Sequence, residues 1–355
     1  MTTNQRSGTE NYSVEIIQAL AALPKRPDLT LYTRAGQESP PTQGTHVRES
    51  GPRRLWTHIG LSRAMMRDRP HALFVPSHVV PLAHPRASVV TVHDLGYLYE
   101  PDAHPRRQRL MLDRTTRWNA RVAAHIIAVS GQTRDDLIRH YEVDPARITV
   151  IHHGVNHHRF YPRTDQEVKP VLARYGISEP YVLFVSTVQP RKNVDRILEA
   201  FKTSGFEHVT LVIAGRSGWM SASIEAMIEA SSKKLRVLRL GHIADDDLPA
   251  LYSGASAFVL PSLFEGFGMG VIEAMACGTP VVTSNHGSLA EVAGDAALLV
   301  DPLSVTSIAE GVRAALEPDE SARLSALGLE HAASFSWANA AKQTLETIES
   351  AFAHA

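Results

Sequence analysis

The sequence predicts an α/β protein built from two Rossmann-like domains that face a cleft. The 355-residue chain is long enough for two domains of ordinary size, each with its own core. In the second half, short apolar runs alternate with amphipathic segments, and this alternation is typical of parallel βαβ units. Ligands of such sheets bind at the carboxyl ends of the strands, so the loops that follow the apolar runs are the candidate binding loops.

The first half is predicted to hold a helix that follows a glycine loop, and then several strands. Residues 7–12 form the loop, and Val14, Ile17 and Leu20 keep the spacing of one helix face. A basic segment over residues 53–69 is predicted as a further helix, which either packs on the domain or lies on a membrane surface. Apolar runs predict strands over residues 29–33, 72–75, 87–92, 125–129 and 147–152.

Residues 160–171 include two prolines and are predicted to be the linker between the domains. Beyond them, strands are predicted over residues 181–186, 209–214, 235–240, 256–260, 280–283 and 297–300. Helices are predicted over residues 193–203, 219–230, 245–253, 269–277, 304–316, 319–333 and 337–353. We therefore expect an N-terminal domain over residues 1–165, a C-terminal domain over residues 166–335, and a last helix (336–355) that packs back towards the N-terminal domain.

Composition indicates a globular protein of a reducing compartment. Hydrophobic residues make up 44% of the chain and charged residues 21%, which are ordinary proportions for this class. The single cysteine, Cys277, excludes an intrachain disulfide, and we expect it to be a small packing residue. No apolar run reaches the roughly 18–20 residues that span a bilayer, and no leader opens the chain. We expect a cytoplasmic location.

The charges are divided unequally between the two halves. Residues 1–165 carry 22 Lys and Arg against 15 Asp and Glu, whereas the remaining residues carry 14 against 22. A basic half attracts anionic partners or an anionic membrane surface. Because no aromatic residues are interleaved with the arginines, a nucleic-acid groove is disfavoured. A phosphorylated acceptor or the inner face of a membrane is the expected partner, and no nucleic acid.

Residues 257–285 carry the pattern on which the functional prediction depends. An apolar strand leads into a loop with Glu265, Gly266 and Gly268, and a helix with Glu273 follows. Backbone N–H groups at a helix start that is approached through glycines bind an anion, most often a phosphate. Carboxylates repel phosphate, so the two glutamates are expected to accept hydrogen bonds from neutral hydroxyl groups. A ligand with phosphates between hydroxyl-rich rings is a nucleotide sugar.

The spacing of the two glutamates also resembles a known signature. Seven residues separate Glu265 from Glu273, which is similar to the E-x7-E motif of the retaining glycosyltransferases of GT-B fold (glycosyl transferases group 1, family four). The resemblance extends continuously from residue 181 to residue 302 and includes the flanks GHIADDDLPALYSGASAFVLPSLFEGFG and SLAEVAGDAALLVDP. The alternative, in which both glutamates lie on a solvated loop and helix face, is disfavoured by these flanks.

The resemblance implies a role for each residue at the donor site. Glu265 would hold hydroxyl groups of the donor sugar, and Glu273 would hold those of the ribose. The segment containing His242 and Ile243 would lie along the nucleobase, and Gly8 would let a loop of the other domain approach the diphosphate. The backbone implied to bind the phosphates and the sugar is that of Gly266, Phe267, Gly268, Met269 and Gly270.

A basic pair, Arg191 and Lys192, follows the first strand of the second domain and can reach a diphosphate as a fork and a point charge. In the family such a pair stabilises the charge that builds up on the phosphate as the sugar leaves. Many members place an arginine five residues before the lysine. Thr187 stands there in this chain, and we expect Arg191 to compensate. The alternative for the pair is a solvated helix start.

His93 and Asp94 stand at a strand end, where the family has a histidine that points towards the donor sugar or the acceptor. We place His93 with Arg191, Lys192 and Glu265 in the catalytic group; the alternative is a histidine that only satisfies a polar contact. Asp94 and His286 are expected to contact the acceptor or to support the site. In front-face retaining transfer the leaving phosphate oxygen can take the acceptor proton, so His93 is not assigned as a general base.

The sequence therefore predicts a retaining, metal-independent glycosyltransferase without a cofactor. It would move a hexose from a nucleoside diphosphate sugar to a hydroxyl acceptor, which can be linked to a lipid phosphate, in glycan or glycolipid synthesis. The segments VHDLGYL, IIAVSGQTRDDLI and ITVIHHGV resemble mannosyltransferase members, so GDP-mannose is the first expectation for the donor. Two alternatives stay open: a catalytically idle protein that binds sugar nucleotides, and an epimerase or phosphorylase of the same fold.

The start of the chain departs from the family pattern. Members have a hydrophobic strand before the glycine loop, as the first strand of the N-terminal sheet, whereas here only six residues precede the loop. Either the start codon is placed too late or the sheet lacks a central strand. The first explanation is favoured, because an unfilled central position leaves two rows of backbone groups unpaired.

Overall fold

The computed structural model describes residues 8–34, 36, 42, 44–51, 55–77, 79–99, 105–203 and 205–355. The chain divides into two compact units. Unit 1 combines residues 1–95 and 106–154 with the C-terminal segment 336–355, and unit 2 combines residues 96–105 with residues 155–335. The C-terminal helix thus belongs to unit 1.

The strands of the described residues are β1 (Thr30–Thr33), β2 (His46–Glu49), β3 (Ala72–Val75), β4 (Ala87–Val92), β5 (His125–Ala128), β6 (Ile148–Val150), β7 (Tyr181–Val185), β8 (Thr210–Ala214), β9 (Val237–Gly241), β10 (Ala257–Leu260), β11 (Val281–Ser284) and β12 (Leu298–Val300). The α-helices are α1 (Gly8–Ala22), α2 (Ser62–Asp68), α3 (Gly96–Tyr99), α4 (Arg106–Val122), α5 (Gly131–Tyr141), α6 (Asp165–Tyr175), α7 (Val194–Lys202), α8 (Ala222–Ser232), α9 (Leu248–Ser253), α10 (Met269–Ala276), α11 (Gly287–Ala293), α12 (Val305–Leu316), α13 (Pro318–Ala333) and α14 (Trp337–Ala353).

Unit 1 holds two parallel sheets. Over its described residues, one sheet has the order β3-β4-β5-β6, and β1 pairs with β2 in a separate sheet. Every residue of β4 is buried, as expected of a parallel strand that is covered on both faces. Helix α14 packs on α1 and on β4, so the end of the chain contributes to the core of this unit.

Unit 2 is organised around one parallel sheet. Over its described residues the strand order is β12-β11-β10-β7-β8-β9. β7, β8 and β9 follow one another towards one edge of the sheet, and β10, β11 and β12 follow one another towards the other edge. The α/β class with Rossmann-like units is therefore confirmed, and the apolar runs predicted as strands form strands to within about two residues at their ends.

The predicted linker over residues 160–171 is wrong. Helix α6 begins inside it, at Asp165, because Thr164 and Glu167 form a capping box across the first turn. Glu167 accepts a hydrogen bond from the Thr164 backbone N–H at 2.9 Å. Pro170 lies within this helix, which continues to a left-handed C-cap at Gly176. The linker was predicted from the two prolines of this segment, but the capping interactions and the apolar face of α6 outweigh the hydrogen bond that Pro170 cannot donate.

The basic segment over residues 53–69 forms a π-helix, Trp56–Leu61, followed by α2. Residues 53 and 54 lie outside the described part of the chain. Leu61 and Met65 are buried, so this segment packs on the unit, while Met66 is 58% exposed. Helices α4 and α11 and strand β2 were not predicted, since their apolar residues are too few or too closely spaced to make a clear pattern.

Among the described residues, no helix combines the length and the apolar character that crossing a membrane requires.

Candidate functional site

The strand order of unit 2 brings two distant loops together. Strands β7 and β10 are neighbours, although β8 and β9 separate them in the chain. The direction in which the sheet grows reverses between these two strands, and ligands of parallel α/β sheets bind at such a switch point. The loop after β7 carries Arg191 and Lys192, and the loop after β10 carries Glu265.

The carboxylate of Glu265 contacts both cations. Its Oε1 accepts hydrogen bonds from Lys192 Nζ and, at 2.8 Å, from Ser262 Oγ. Its Oε2 accepts from Arg191 Nη1 at 2.8 Å, and the same nitrogen donates to the Phe264 carbonyl at 2.9 Å. Two cations against one carboxylate leave this cluster with a net positive charge, which suits an anionic ligand.

Burial sets the electrostatics of this cluster. The side chains of Glu265 and Lys192 are 8% and 9% exposed, whereas that of Arg191 is 23% exposed. Burial by itself raises the pKa of Glu265, but the charges of Lys192 and Arg191 and the hydrogen bonds from Lys192 and Ser262 outweigh it and lower that pKa to about 2. Glu265 is therefore ionised at neutral pH.

Asn193 ties the two loops together. It ends the 3₁₀ turn Pro190–Lys192 and begins α7 with a left-handed φ of 64°. Its side-chain Nδ2 donates to the Pro261 carbonyl at 2.8 Å and to the Pro302 carbonyl at 2.7 Å. The Asn193 side chain is fully buried. Its hydrogen bond to Pro261 holds the loop of the two cations against the loop that leads to Glu265.

Helix α10 begins beside this cluster, and its first turn requires glycines. Gly268 is the N-cap with φ 101°, and a β-carbon there would lie 2.6 Å from Cδ2 of Leu289. A β-carbon on Gly270 would lie 3.1 Å from the Phe258 ring. Gly266 and Phe267 are buried, whereas Gly268, Met269 and Gly270 are half-buried. The N-terminus of α10, which carries the positive end of the helix dipole, adds to the positive charge of the site.

Glu273 lies one turn further along α10 and is half-buried. It accepts a hydrogen bond from the Tyr252 hydroxyl at 3.3 Å. Burial, and then the charge of Glu273, raise the pKa of Tyr252 well above its usual value, so the phenol stays protonated and donates. The tyrosine thereby restrains the carboxylate of Glu273.

The other predicted residues of unit 2 also follow strand ends. His242 is exposed and Ile243 is buried, directly after the end of β9 at Gly241. Thr187 is exposed after β7. Its Cγ2 lies close to Gly218, where a β-carbon would be only 2.6 Å away from it. His286 is exposed before α11, with Nε2 at 3.3 Å from the Leu263 carbonyl.

The remaining predicted residues lie in unit 1. Gly8 is exposed at the start of α1, and Asp94 is exposed after β4. Nε2 of His93 donates to the Pro76 carbonyl at 2.8 Å. The His93 ring meets the Tyr12 ring edge to face, with the centroids 4.7 Å apart.

Behind His93 lies an aromatic cluster. The ring of His153 stands 4.7 Å from that of Tyr12 and stacks on Trp337 at 5.8 Å. Burial, and then the neighbouring His93 and His152, lower the pKa of His153 well below its usual value, so its ring is neutral. The hydrogen bond to Pro76 and the packing against Tyr12 orient the His93 ring within unit 1.

The structure brings Arg191, Lys192 and Glu265 into direct contact and places Glu273 on the adjoining helix. The prediction for Glu265 named hydroxyl partners alone and missed the two cations, because sequence spacing does not show that β7 and β10 pair. Ser262, Asn193 and Tyr252 were missed as well. Within residues 8–34, 55–77, 79–99, 105–203 and 205–355, no three His, Cys, Asp or Glu side chains cluster as metal ligands.

The chain matches known protein families and has named relatives. Residues 173–326 match the family described as glycosyl transferases group 1, and residues 6–159 match glycosyltransferase family 4. The O-antigen chain mannosyltransferase B of Escherichia coli is 34% identical over 267 residues, which cover 74% of this chain and 70% of that protein.

Two solved structures have a similar fold. Sucrose-phosphate synthase from Thermosynechococcus elongatus superposes with a TM-score of 0.77 at 23% identity, over 98% of this chain and 94% of that one. HepE of Anabaena in complex with UDP-glucose gives 0.73 at 18% identity, over 99% and 98% of the chains. On the family match, the mannosyltransferase relative and the fold, this chain belongs to the glycosyl transferases group 1, family 4, of GT-B fold, and is a sugar-transferring enzyme.

Proposed function

We propose that this enzyme transfers a hexose, with retention of its anomeric configuration, from a nucleoside diphosphate sugar to a hydroxyl acceptor. The observation that carries the proposal is the contact of Arg191 and Lys192 with Glu265 at the switch point of the unit 2 sheet. A diphosphate is the ligand whose charge this cluster and the start of α10 complement.

The proposed transfer breaks one bond to the anomeric carbon and forms another, and the negative charge that develops lies on the leaving phosphate. The bond from the anomeric carbon to the phosphate oxygen breaks, and its electron pair stays on that oxygen. The acceptor oxygen forms the new bond on the same face of the sugar, and its proton passes to the leaving phosphate oxygen. Lys192 and Arg191 stabilise the negative charge that develops on the phosphate, so the reaction needs neither a metal ion nor a cofactor.

Glu265 has two tasks in this proposal. It holds the two cations in position, and it accepts a hydrogen bond from a hydroxyl of the donor sugar. A carboxylate offers about four acceptor positions, of which Lys192, Arg191 and Ser262 occupy three. The fourth is the one we assign to the sugar.

The nucleoside is assigned to the neighbouring strand ends of unit 2. Glu273, restrained by Tyr252, accepts hydrogen bonds from the ribose hydroxyls, and the backbone at His242 and Ile243 lies along the base. The backbone from Gly266 to Gly270 holds the phosphates, with support from Thr187 and His286 at the edge of the site. Gly8, His93 and Asp94 of unit 1 are assigned to the donor diphosphate, the transferred sugar and the acceptor.

We propose that the donor is GDP-mannose and that mannose is the sugar transferred. The supporting observations are the similarity to an O-antigen chain mannosyltransferase and the mannosyltransferase-like segments of the first half. The Anabaena relative, which holds UDP-glucose and is more distant in sequence, makes UDP-glucose the competing donor.

The decisive experiment measures nucleotide release from GDP-mannose, UDP-glucose and ADP-glucose, with and without saccharide and lipid-phosphate-linked acceptors. We expect acceptor-dependent release from GDP-mannose, an α-linked product by NMR of the anomeric proton, and full activity in EDTA. A β-linked product contradicts retention, and loss of activity in EDTA contradicts metal independence. Binding of every donor without turnover supports the alternative of an idle sugar-nucleotide-binding protein.

We further propose a cytoplasmic enzyme that associates with the inner face of an anionic membrane through α4. Leu110 and Met111 are 50% and 60% exposed on this helix. Six arginines accompany them: Arg106, Arg107, Arg109, Arg114, Arg117 and Arg121. Exposed apolar side chains among arginines bind anionic lipid surfaces. This location suits an acceptor that is linked to a lipid phosphate.

Sedimentation with vesicles tests the membrane proposal. We expect binding to vesicles that contain phosphatidylglycerol and none to pure phosphatidylcholine. Replacing both Leu110 and Met111 with Glu should abolish binding, whereas Leu329→Glu, at an apolar residue of α13 that is 38% exposed, should leave it intact. Equal binding of all three proteins would refute a role for α4.

A further inference from the structure

The loop that joins β9 to α9 is tied at its backbone by side chains from other parts of unit 2. We call residues 242–247 the β9–α9 loop. The phenol oxygen of Tyr175 accepts a hydrogen bond from the Ala244 N–H at 3.3 Å. Arg159 Nη2 donates to the Asp245 carbonyl at 2.6 Å. Two consecutive residues of the loop are thus held from outside it.

An unused helix cap supports this arrangement. Asp247 stands at the N-cap position of α9 and is 7% exposed, but its side chain makes no capping hydrogen bond. The side chain of an N-cap aspartate usually accepts from the first turn of its own helix. Here the carboxylate accepts instead from Arg174 Nη1 at 2.7 and 2.8 Å and from the Tyr175 hydroxyl at 2.8 Å. The acid therefore holds the tyrosine that contacts the loop.

The proton of Tyr175 has a defined direction. Burial, and then the hydrogen bond to Asp247, raise the pKa of Tyr175, so the phenol stays protonated. Its O–H points at the carboxylate, which leaves an oxygen lone pair for the Ala244 N–H. Arg174 and Tyr175 form the last turn of α6, which packs on α9, so the end of this helix fixes both side chains.

Arg159 connects the same loop to the carboxylate of Glu273. The guanidinium carbon of Arg159 lies 4.8 Å from the centre of the Phe160 ring. The Phe160 ring meets the Tyr252 ring edge to face at 6.1 Å, and the Tyr252 hydroxyl donates to Glu273. A continuous series of contacts within unit 2 thus joins the β9–α9 loop to Glu273.

The first two residues of the loop keep their backbone groups for a ligand. Over the part of the chain that the structure describes, no hydrogen bond is made to the backbone N–H or C=O groups of His242 and Ile243. The carbonyl just before them, that of Gly241, accepts from the Gly215 N–H at 2.6 Å. The Ile243 side chain is buried, which fixes the direction of its peptide groups. Adjacent donors and acceptors in a fixed direction can pair with the polar edge of a planar base.

We propose that Arg159 and Tyr175 are positioning residues for the donor nucleobase, which hold the β9–α9 loop in its base-binding conformation before the donor binds. Asp247 and Arg174 act through Tyr175. This inference rests on the proposed function, which assigns the base to the backbone at His242 and Ile243. It adds that selection among bases depends on side chains that do not touch the base.

The need to satisfy backbone groups does not explain these contacts. Ala244 and Asp245 are exposed, so water can hydrogen-bond to their backbone groups. The side chains of Tyr175 and Arg159 add a fixed conformation instead. A loop that is already ordered loses less conformational entropy when it binds its ligand, and it binds a base of another shape less well.

Calorimetric titration of the full chain with GDP, UDP, ADP and pyrophosphate tests the inference. The parent should prefer one of the three nucleotides. Tyr175→Phe and Arg159→Met should each reduce this preference by about three- to tenfold, the range that one hydrogen bond contributes. Pyrophosphate has no base, so its Kd should stay unchanged. With the sugar nucleotide as substrate, the loss should appear in the donor KM and leave kcat unchanged.

Two control variants remove similar contacts elsewhere in unit 2. The Tyr181 hydroxyl donates to the Leu251 carbonyl of α9 at 2.7 Å, so Tyr181→Phe removes a hydrogen bond to α9 and none to the β9–α9 loop. Arg236 is exposed and donates to the His208 carbonyl at 3.2 Å, which makes Arg236→Met the control for Arg159→Met. Both controls should keep the preference of the parent.

An unchanged preference in both test variants, an equal loss in the controls, or equally weakened pyrophosphate binding would overturn the inference. A parent that binds the three nucleotides equally would overturn it as well, and each of these results leaves the proposed function standing. A parent that binds none of the four ligands would instead contradict the proposed function, and this inference with it. If the Arg159→Met protein fails to fold, Arg159→Gln takes its place.

Discussion

Lys192 donates a hydrogen bond to Oε1 of Glu265 across 73 residues of chain, and both side chains are buried. The sheet order makes this contact possible, because β7 and β10 are neighbours. The pair lies at the switch point together with the half-buried Arg191. A buried cation that is positioned before substrate binds can stabilise developing charge without further reorganisation, which is the role we assign to Lys192.

Lys192→Ala should lower turnover more than it weakens donor binding. The contact of Lys192 with phosphate strengthens as negative charge develops, so we expect kcat to fall by about 10²–10³ and the donor Kd to rise only a few-fold. Steady-state kinetics and calorimetric titration give the two numbers. Lys202→Ala, at an exposed lysine of α7, is the matched control and should change neither. Equal losses in turnover and binding would refute this role.

Glu265→Gln should destabilise unit 2, because it leaves two partly or fully buried cations without their carboxylate. Breaking a buried ion pair costs on the order of 3 kcal/mol of unfolding free energy. Denaturant unfolding measures the loss. Glu229→Gln is the control, since Glu229 faces Lys233 at 3.9 Å on the exposed surface and should have little effect. A Glu265→Gln protein as stable as the parent would show that the cluster does not hold the two loops together.

Unit 1 should lose stability as the pH falls below about 6.5, the ordinary pKa of histidine. The pKa of His153 is lowered in the folded protein, first by burial and then by His93 and His152, so below 6.5 the unfolded chain binds a proton that the folded chain does not. The unfolding free energy then decreases with falling pH, by at most about 1.4 kcal/mol per pH unit for this group.

Unfolding of the parent and of His153→Phe, measured between pH 8 and pH 5, checks this expectation. The variant should show a shallower decrease in unfolding free energy over the range below 6.5. Leu82→Phe, at an exposed apolar residue of unit 1 without a titratable group, should leave the slope unchanged. Identical slopes for parent and His153→Phe would rule out His153 as the source.

Gly268→Ala should be more harmful than Gly176→Ala. Both glycines have a positive φ, 101° and 65°, so both substitutions strain the backbone. Only the alanine at position 268 would also meet Leu289, at 2.6 Å, whereas nothing lies within 4 Å of the equivalent atom at position 176. We expect a larger loss of unfolding free energy and weaker donor binding for Gly268→Ala, because the start of α10 must shift. Equal losses would show that backbone conformation alone requires Gly268.

The pattern of apolar residues predicted much of the fold, and the sequence motifs predicted the family. Alternating apolar runs predicted the strands of unit 2, and the E-x7-E spacing with its flanks indicated the glycosyltransferase family. The linker over residues 160–171 was predicted from its two prolines, whereas a capping box at Thr164 begins helix α6 inside it. At such positions the low helix propensity of proline competes with side-chain packing, and the spacing of apolar residues does not show which of the two prevails.

The sequence by itself determined which residues carry charge, where helices must begin on glycine, and that short strands alternate with helices. These are local properties, set by side-chain chemistry and by the conformations that each residue allows. Only the tertiary structure decided that Glu265 meets Arg191 and Lys192 and that Tyr252 restrains Glu273. Those contacts depend on which strands become neighbours, and strand order is settled by long-range burial rather than by spacing along the chain.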